Sequence, residues 1–408
     1  MKIVWLINLF PPYVMGGNEI LARDIIAELR IKGHEVYLLT GHGQNFSQSP
    51  YHLFAIDFEL DRMAERFSGV RKPALHESFR WHIFDPVTYR KIKQTLNEIK
   101  PDLAIVDNFS LISTAPLLAA VQAGSKVLVQ ANDKWLIYGL KKPGQGLWHC
   151  PPPQKPIIAA IQTGLQPIFN LMARNVSIVV NSHFLKSVYL RAGFKADQLK
   201  VVHLGIDVEV YTPHTARFHL ADPVRLLFAS QLWEGKGPQV AVKALAELKK
   251  QAPEQAFILN LYGHGAPEFI NYLNNLAKEL DVYDSIQYCG FVPASELTHA
   301  FHSHDIFMFN SIWDEPFSLT LLSAMSCGIP TISTSVGGNP EAIEHGRTGL
   351  IVPPNDPVAL AQAVLELVQN PELRVELSLK ASDAVRQKWS FKHYVDSLEE
   401  LYRTYAEK

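Results

Sequence analysis

The chain has 408 residues, 47% apolar and 19% charged, enough to bury sizeable cores and too apolar for a disordered chain. Its 38 Lys and Arg against 40 Asp and Glu leave a net charge of −2, so charge gives no reason to expect a nucleic-acid partner. The three cysteines (Cys150, Cys289 and Cys327) are scattered, which argues against a disulfide framework or zinc site and fits a reducing, cytoplasmic setting. Lys2 runs straight into a strand-like stretch, so no signal peptide is expected, and no apolar run reaches membrane-spanning length.

The first half reads as alternating strands and helices. Residues 3–7 form an apolar run of the buried-strand type, followed by a loop ending in Gly16-Gly17 and a helix with Ile20, Leu21, Ile25, Ile26 and Leu29 on one face. A glycine pair between strand and helix leaves free N–H groups at a positive dipole end, which suits a phosphate. The pattern is not G-x-G-x-x-G, and a plain tight turn explains it equally well. Residues 41–84 show no clear period and read as an insertion of the kind that shapes a specificity loop or a solvated connection. Regularity returns with helices near 87–99 and 116–122 and strands at 103–106 and 127–130. Asn132, Asp133 and Trp135 stand just beyond the last of these strands. Residues 151–174 are rich in Ile and Leu and broken by Pro167. Their polar face is poor in Lys and Arg, so a kinked core helix or cleft wall is preferred over peripheral contact with the inner face of a membrane. A strand at 177–181 follows, and Ser182 suits the cap of the next helix.

A polar, proline-containing passage at 211–223 is the best internal boundary, and the alternation then restarts. A strand at 226–229, the loop from Ser230 to Pro238 and a helix near 239–249 come first, then a strand at 257–261 and the turn at Gly263. The most informative stretch is 305–349. A strand at 306–309 leads into a loop carrying Glu315, and Pro316 suits the first turn of a helix that Gly328 closes. A second strand (329–333), Gly337-Gly338 and a helix opened by Pro340 complete it, with terminal helices near 358–368 and 391–405. Repeated β-loop-α units build parallel sheets whose ligands sit at the strand carboxyl ends, so Glu315 occupies a binding address.

The motifs GG-N-E, HLGIDVEVYTP, QLWEGKGP, YGHG, GFVPASEL, DEPFSLTLLSAMSCGIPTI, VGGNPEAIEHGRTGLIVPP and WSFKHYVDSLEELY occur in this order across nearly the whole chain. Together they resemble a retaining glycosyltransferase of the GT-B architecture, of the family-4 type. The resemblance implies an α/β fold of two Rossmann-like, doubly wound domains facing each other across a cleft. The boundaries expected are 1–208 for an acceptor-side domain, 209–385 for a donor-binding domain, and 386–408 for a helix crossing back to the first. It implies a UDP-, GDP- or ADP-sugar as donor and no cofactor or dedicated metal. The acceptor that it implies is a hydroxyl of a glycan, glycolipid or small molecule. On the same resemblance, transfer is expected to pass through an oxocarbenium-like state with the departing phosphate beside the attacking hydroxyl.

Position by position, Lys236 matches a lysine that contacts the donor phosphates, and Gln231 stands where an arginine is usual, bringing hydrogen bonds without charge. Glu315 matches the first glutamate of a pair, set against the donor sugar. Phe317, Ser318 and Leu319 match a turn whose backbone amides hold sugar hydroxyls. Ser323 replaces the second glutamate, which normally grips the ribose hydroxyls, and a neutral serine cannot make that bidentate contact. The donor side also takes in Gly16, Gly17, Gly263, Phe291 and Val292. Asn132 replaces a histidine near the transferred sugar and cannot act as an imidazole base. It joins Lys236 and Glu315 as the expected catalytic set, with Asp133 and Trp135 on the acceptor side. These three departures keep an alternative open: a catalytically degenerate protein that binds nucleotide sugars or serves assembly.

Overall fold

The structure is a computed structural model that describes residues 1–14, 16–42, 53–59, 84–108, 113–140, 176–214 and 219–407. The chain forms two compact units, one of residues 1–202 with 395–408 and one of residues 203–394. The polar passage 211–223 thus falls inside the second unit.

The first unit contains β1 (Lys2–Ile7), α1 (Gly17–Ile31), β2 (Glu35–His42), β3 (Leu53–Glu59), α2 (Pro86–Ile99) and β4 (Leu103–Asp107). It continues with α3 (Ala115–Gln122), β5 (Val127–Ala131), α4 (Trp135–Leu140), β6 (Ser177–Val180), α5 (His183–Arg191) and β7 (Leu199–Val201). The strands lie in the order β3-β2-β1-β4-β5-β6-β7 and every pairing is parallel. Such a sheet is covered on both faces, which is why β1 and β4 are continuous apolar runs rather than alternating ones. Ile3 pairs with Val36 on one side and Leu103 on the other, and all three are buried. Helix starts follow local chemistry. Glu19 accepts from the Gly16 amide at 2.9 Å, Asp85 caps α2, and Ser182 caps α5 through the Leu185 amide at 3.0 Å.

The second unit contains β8 (Val224–Ala229), a short 3₁₀ turn (Glu234–Lys236), α6 (Pro238–Gln251), β9 (Phe257–Tyr262), α7 (Pro267–Glu279) and β10 (Ile286–Gly290). After these come α8 (Ala294–Ser303), β11 (Ile306–Phe309), α9 (Leu319–Cys327), β12 (Thr331–Thr334), α10 (Asn339–Ala342) and β13 (Leu350–Val352). The end of the chain holds α11 (Pro357–Gln369), α12 (Pro371–Lys388) and α13 (Phe391–Glu407). The sheet order is β10-β9-β8-β11-β12-β13, again all parallel. Its core packs β8, β9 and β11 against α6 and α11 through Leu226, Phe228, Leu259, Met308, Leu245 and Val364.

From residue 395 onward α13 belongs to the first unit. Asp396 and Glu399 meet Lys32 at 2.5 and 3.1 Å, Glu399 accepts from His34 at 3.0 Å, and the Tyr402 hydroxyl donates to Gln130 at 2.8 Å. Burial alone would raise the Glu399 carboxyl, but bonds from Arg403, His34 and Lys32 outweigh it and hold it at about 2.

Several local expectations shift. Strand β3 lies inside the stretch 41–84 that had no readable period. Helix α9 begins at Leu319 rather than at Pro316, because the Ser318 hydroxyl accepts from the Leu321 amide at 3.2 Å and sets the start. Strand β12 starts at Thr331 rather than Ile329. Helix α12 was not expected: its buried stripe contains Arg374, Ser378 and Ser382 alongside Leu377, Ala381 and Val385, while Leu379 is exposed. That mixture hides the 3.6-residue apolar period. The apolar stretch 151–174 lies outside the described residues. No described helix is long and apolar enough to cross a membrane.

Candidate functional site

In the second unit, two loops at strand carboxyl ends are clamped together. The loop after β8 carries Gln231 and Lys236, and the loop after β11 carries Glu315. The carbonyl of Gly235 accepts from the amides of Ile312 and Trp313, each at 2.9 Å. The Asn310 amide side chain donates to Gly237 O at 2.5 Å, and the rings of Trp233 and Trp313 pack edge to face, 5.9 Å apart. Across this clamp the Lys236 ammonium donates to Glu315 Oε1 at 2.5 Å, and the Ser311 hydroxyl lies 2.9 Å from the same oxygen. Lys236 and Glu315 side chains are 18% and 8% exposed, so the pair is largely shielded from water and its electrostatics are strong.

Glu315 is also held by its backbone. Its carbonyl accepts from the Gly338 amide at 2.7 Å, and Gly337 sits at φ +58° against it. A Cβ at Gly337 would lie 2.0 Å from Glu315 O, so only glycine lets this backbone approach. Gly263 has the same function at the neighbouring strand β9: at φ +137°, a Cβ there would meet Ser230 O at 1.8 Å. Its amide donates to Gly290 O at 2.7 Å, and beyond that turn the exposed Phe291 packs edge-on to His264 at 5.7 Å. Phe317 is buried, 5.0 Å from the His203 ring, and His203 Nε2 donates to Glu341 at 2.8 Å. Ser318 caps α9, and Leu319 is its first residue. Ser323 is 3% exposed and its hydroxyl is engaged with the Tyr211 phenol.

In the first unit a second polar group gathers at strand carboxyl ends. Asn18, in the first turn of α1, donates to Asp107 Oδ1 at 3.2 Å and accepts from Asn132 Nδ2 at 2.7 Å. The Asn181 side chain donates to the carbonyl of Asn132 at 3.0 Å. Asp133 accepts from the Trp135 amide at 2.6 Å, which starts α4, while its carbonyl accepts from the Tyr189 hydroxyl at 3.0 Å. Burial pushes the Asp107 carboxyl up to about 8, opposed by the bond from Asn18, and desolvation raises Asp133 to about 6. Gly16 and Gly17 are exposed at the start of α1, with Gly16 in extended backbone.

The structure therefore brings Lys236 and Glu315 into direct contact and places Gln231, Gly263, Phe291, Val292, Phe317 and Ser318 on loops, and Leu319 at the start of α9, at the same end of the second sheet. Asn132, Asp133, Trp135, Gly16 and Gly17 lie at the corresponding end of the first sheet. Ser311, Asn18 and Tyr211 were not singled out from sequence. Ser311 follows a strand as countless serines do, and only its contacts distinguish it.

Two family models match. "Glycosyltransferase Family 4" covers residues 15–210 and "Glycosyl transferases group 1" covers residues 216–383. The D-inositol 3-phosphate glycosyltransferase of Pseudarthrobacter chlorophenolicus is 34% identical over 198 residues, 47% of this chain and 46% of that one. The enzyme of the same name from Corynebacterium jeikeium is 32% identical over 222 residues, 51% and 52% of the two chains. The chain thus spans about half the length of these curated relatives. Among solved structures, Anabaena Alr3699/HepE in complex with UDP superposes with a TM-score of 0.72 at 19% identity, covering 99% of this chain and 100% of that one. The same protein in complex with UDP-glucose gives 0.72 at 20% identity and the same coverage. That likeness shows a shared GT-B fold. Matched by models along both halves, the chain belongs to the group 1, family-4 type of glycosyltransferases.

Proposed function

We propose that the chain transfers a hexosyl group from a nucleotide-diphosphate sugar to a hydroxyl of a glycan, glycolipid or small-molecule acceptor, with retention at the anomeric carbon. The observation that carries this reading is the shielded Lys236–Glu315 pair at the strand ends of the second sheet. Lys236 supplies the positive charge that a diphosphate leaving group requires, at the start of α6, whose N-terminal amides add to the same field. Gln231 adds hydrogen bonds, Gly263 with Phe291 and Val292 meets the base, and the amides of Phe317, Ser318 and Leu319 meet sugar hydroxyls. Glu315 holds the donor sugar. Ser323 belongs to the donor side, where its hydroxyl is engaged with Tyr211. Gly16 and Gly17 serve the donor phosphates, Asn132 the transferred sugar, and Asp133 and Trp135 the acceptor.

In the transfer itself the bond from the anomeric carbon to the phosphate oxygen breaks, and a bond to the acceptor oxygen forms on the same face. The acceptor proton passes to the departing phosphate, so Asn132 is not needed as a base. A divalent cation is not required on this reading. The Glu315 carboxylate already receives the Lys236 ammonium, which makes it a poor metal ligand.

UDP-glucose, bound by the Anabaena neighbour, heads a donor panel that also holds GDP- and ADP-sugars. Release of nucleoside diphosphate with an acceptor mixture, unchanged by EDTA, supports the proposal. A folded sample that neither binds nor turns over any donor refutes it. Binding that is lost in Lys236→Ala but never accompanied by turnover identifies a degenerate binding protein instead.

A further inference from the structure

The hydroxyl of Ser311 is a buried polar group that the proposed reaction does not yet use. Ser311 is 1% exposed, and its hydroxyl lies 2.9 Å from Glu315 Oε1 and 3.0 Å from Gly235 O. Trp313 O lies farther off, at 3.4 Å. A serine has one proton, so these three acceptors compete for it. Gly235 O already receives the Ile312 and Trp313 amides, which fill both its lone pairs. The carboxylate is charged and the stronger acceptor, so the hydroxyl donates to Glu315 Oε1. That oxygen also receives Lys236, and is committed twice within the protein. Among the described residues nothing donates to Oε2, which is left for a ligand hydroxyl.

Lys236 cannot serve Glu315 and a diphosphate equally. Once a phosphate draws the ammonium away, Ser311 is the remaining donor on Oε1. Ser311 is itself fixed: its carbonyl accepts from the Thr334 hydroxyl at 2.6 Å, and its position is locked by the Gly235 clamp. We propose that Ser311 is a positioning residue that keeps Glu315 aimed at the donor sugar while Lys236 is engaged with the diphosphate. This rests on the transferase reading above.

The test compares a nucleotide sugar with its own nucleoside diphosphate, UDP-glucose and UDP first, by titration calorimetry on the native chain and on Ser311→Ala. A hydrogen bond to a charged group is lost, so UDP-glucose affinity falls about tenfold while UDP affinity stays within about twofold. In a Glu315→Ala background, Ser311→Ala has no further effect on UDP-glucose. Equal loss of both ligands means that Ser311 merely supports the Lys236 loop, and overturns the proposal. So does a full Ser311→Ala effect in the Glu315→Ala background. Should Ser311→Ala not fold by thermal melting, Ser311→Cys, close in size with a weak donor, carries the same comparison and the same expected order. If the native chain binds no nucleoside diphosphate of the panel, the donor-binding reading itself fails, a result distinct from either outcome above, and this proposal falls with it.

Discussion

Glu315→Gln separates the two partners of the clamp without changing their shape. Lys236 is held by a carboxylate at 2.5 Å, with 18% of the lysine and 8% of the glutamate side chain exposed. A diphosphate that recruits Lys236 must first break this bond. A charge-assisted bond of this burial contributes about 1.5–3 kcal/mol, and the amide oxygen of glutamine retains about 1 kcal/mol as a neutral acceptor. The substitution therefore releases roughly 1 kcal/mol or more, which corresponds to about fivefold tighter binding of free UDP. Sugar transfer moves the other way, falling about tenfold or more, because the donor sugar loses its charged acceptor. Calorimetry with UDP reads the first effect, and release of UDP from UDP-glucose reads the second. Unchanged or weaker UDP binding in a variant that melts normally would refute the idea that phosphate and Glu315 compete for Lys236.

Gly337→Ala places a Cβ against Glu315 O in left-handed backbone, so the melting temperature falls and nucleotide-sugar affinity falls with it. The backbone conformation alone costs about 1–2 kcal/mol; normal affinity in this variant would show that Gly337 does not set Glu315. Asp107 holds its proton up to about pH 8 in the folded chain against 3.8 for the ordinary carboxyl. Between these values the folded form binds a proton that the unfolded chain has lost, so stability falls as pH rises through that window. Asp107→Asn, which keeps an acceptor for Asn18, should melt higher than the native chain at about pH 8, with the difference vanishing near pH 4. Glu399 behaves oppositely. Its carboxyl sits at about 2, below the ordinary 4.5, so its contribution is complete above about pH 4.5 and lost as pH falls toward 2. Glu399→Gln should cost about 1–3 kcal/mol at about pH 7 in thermal melts and little near pH 2.

Much of the second unit was legible because its signals are local. Short apolar runs, prolines at helix starts and Gly328 at a helix end are consequences of backbone sterics that act within a few residues. Helix α12 escaped because Arg374 is buried by bonds to the carbonyls of Leu367 and Val368, contacts made outside its own turn pattern. Strand β3 escaped because a parallel edge strand draws its definition from its neighbour, here Leu38 and Leu39 of β2.

For the site, the sequence by itself determined the chemistry available: a lysine before a helix, a glutamate beyond a strand, and glycines where backbone must approach. The glutamate and the glycines follow from residue type and spacing along one chain, and the lysine was marked by the family resemblance. Only the tertiary structure decided that Lys236 and Glu315, 79 positions apart, share a bond, that Ser311 donates to the same oxygen, and that Ser323 faces Tyr211. The reason is physical. Strand order β9-β8-β11-β12 brings the loops after β8 and β11 side by side, and parallel pairing puts both at the same edge of the sheet. A contact between two such loops depends on that order, which no local stretch of sequence encodes.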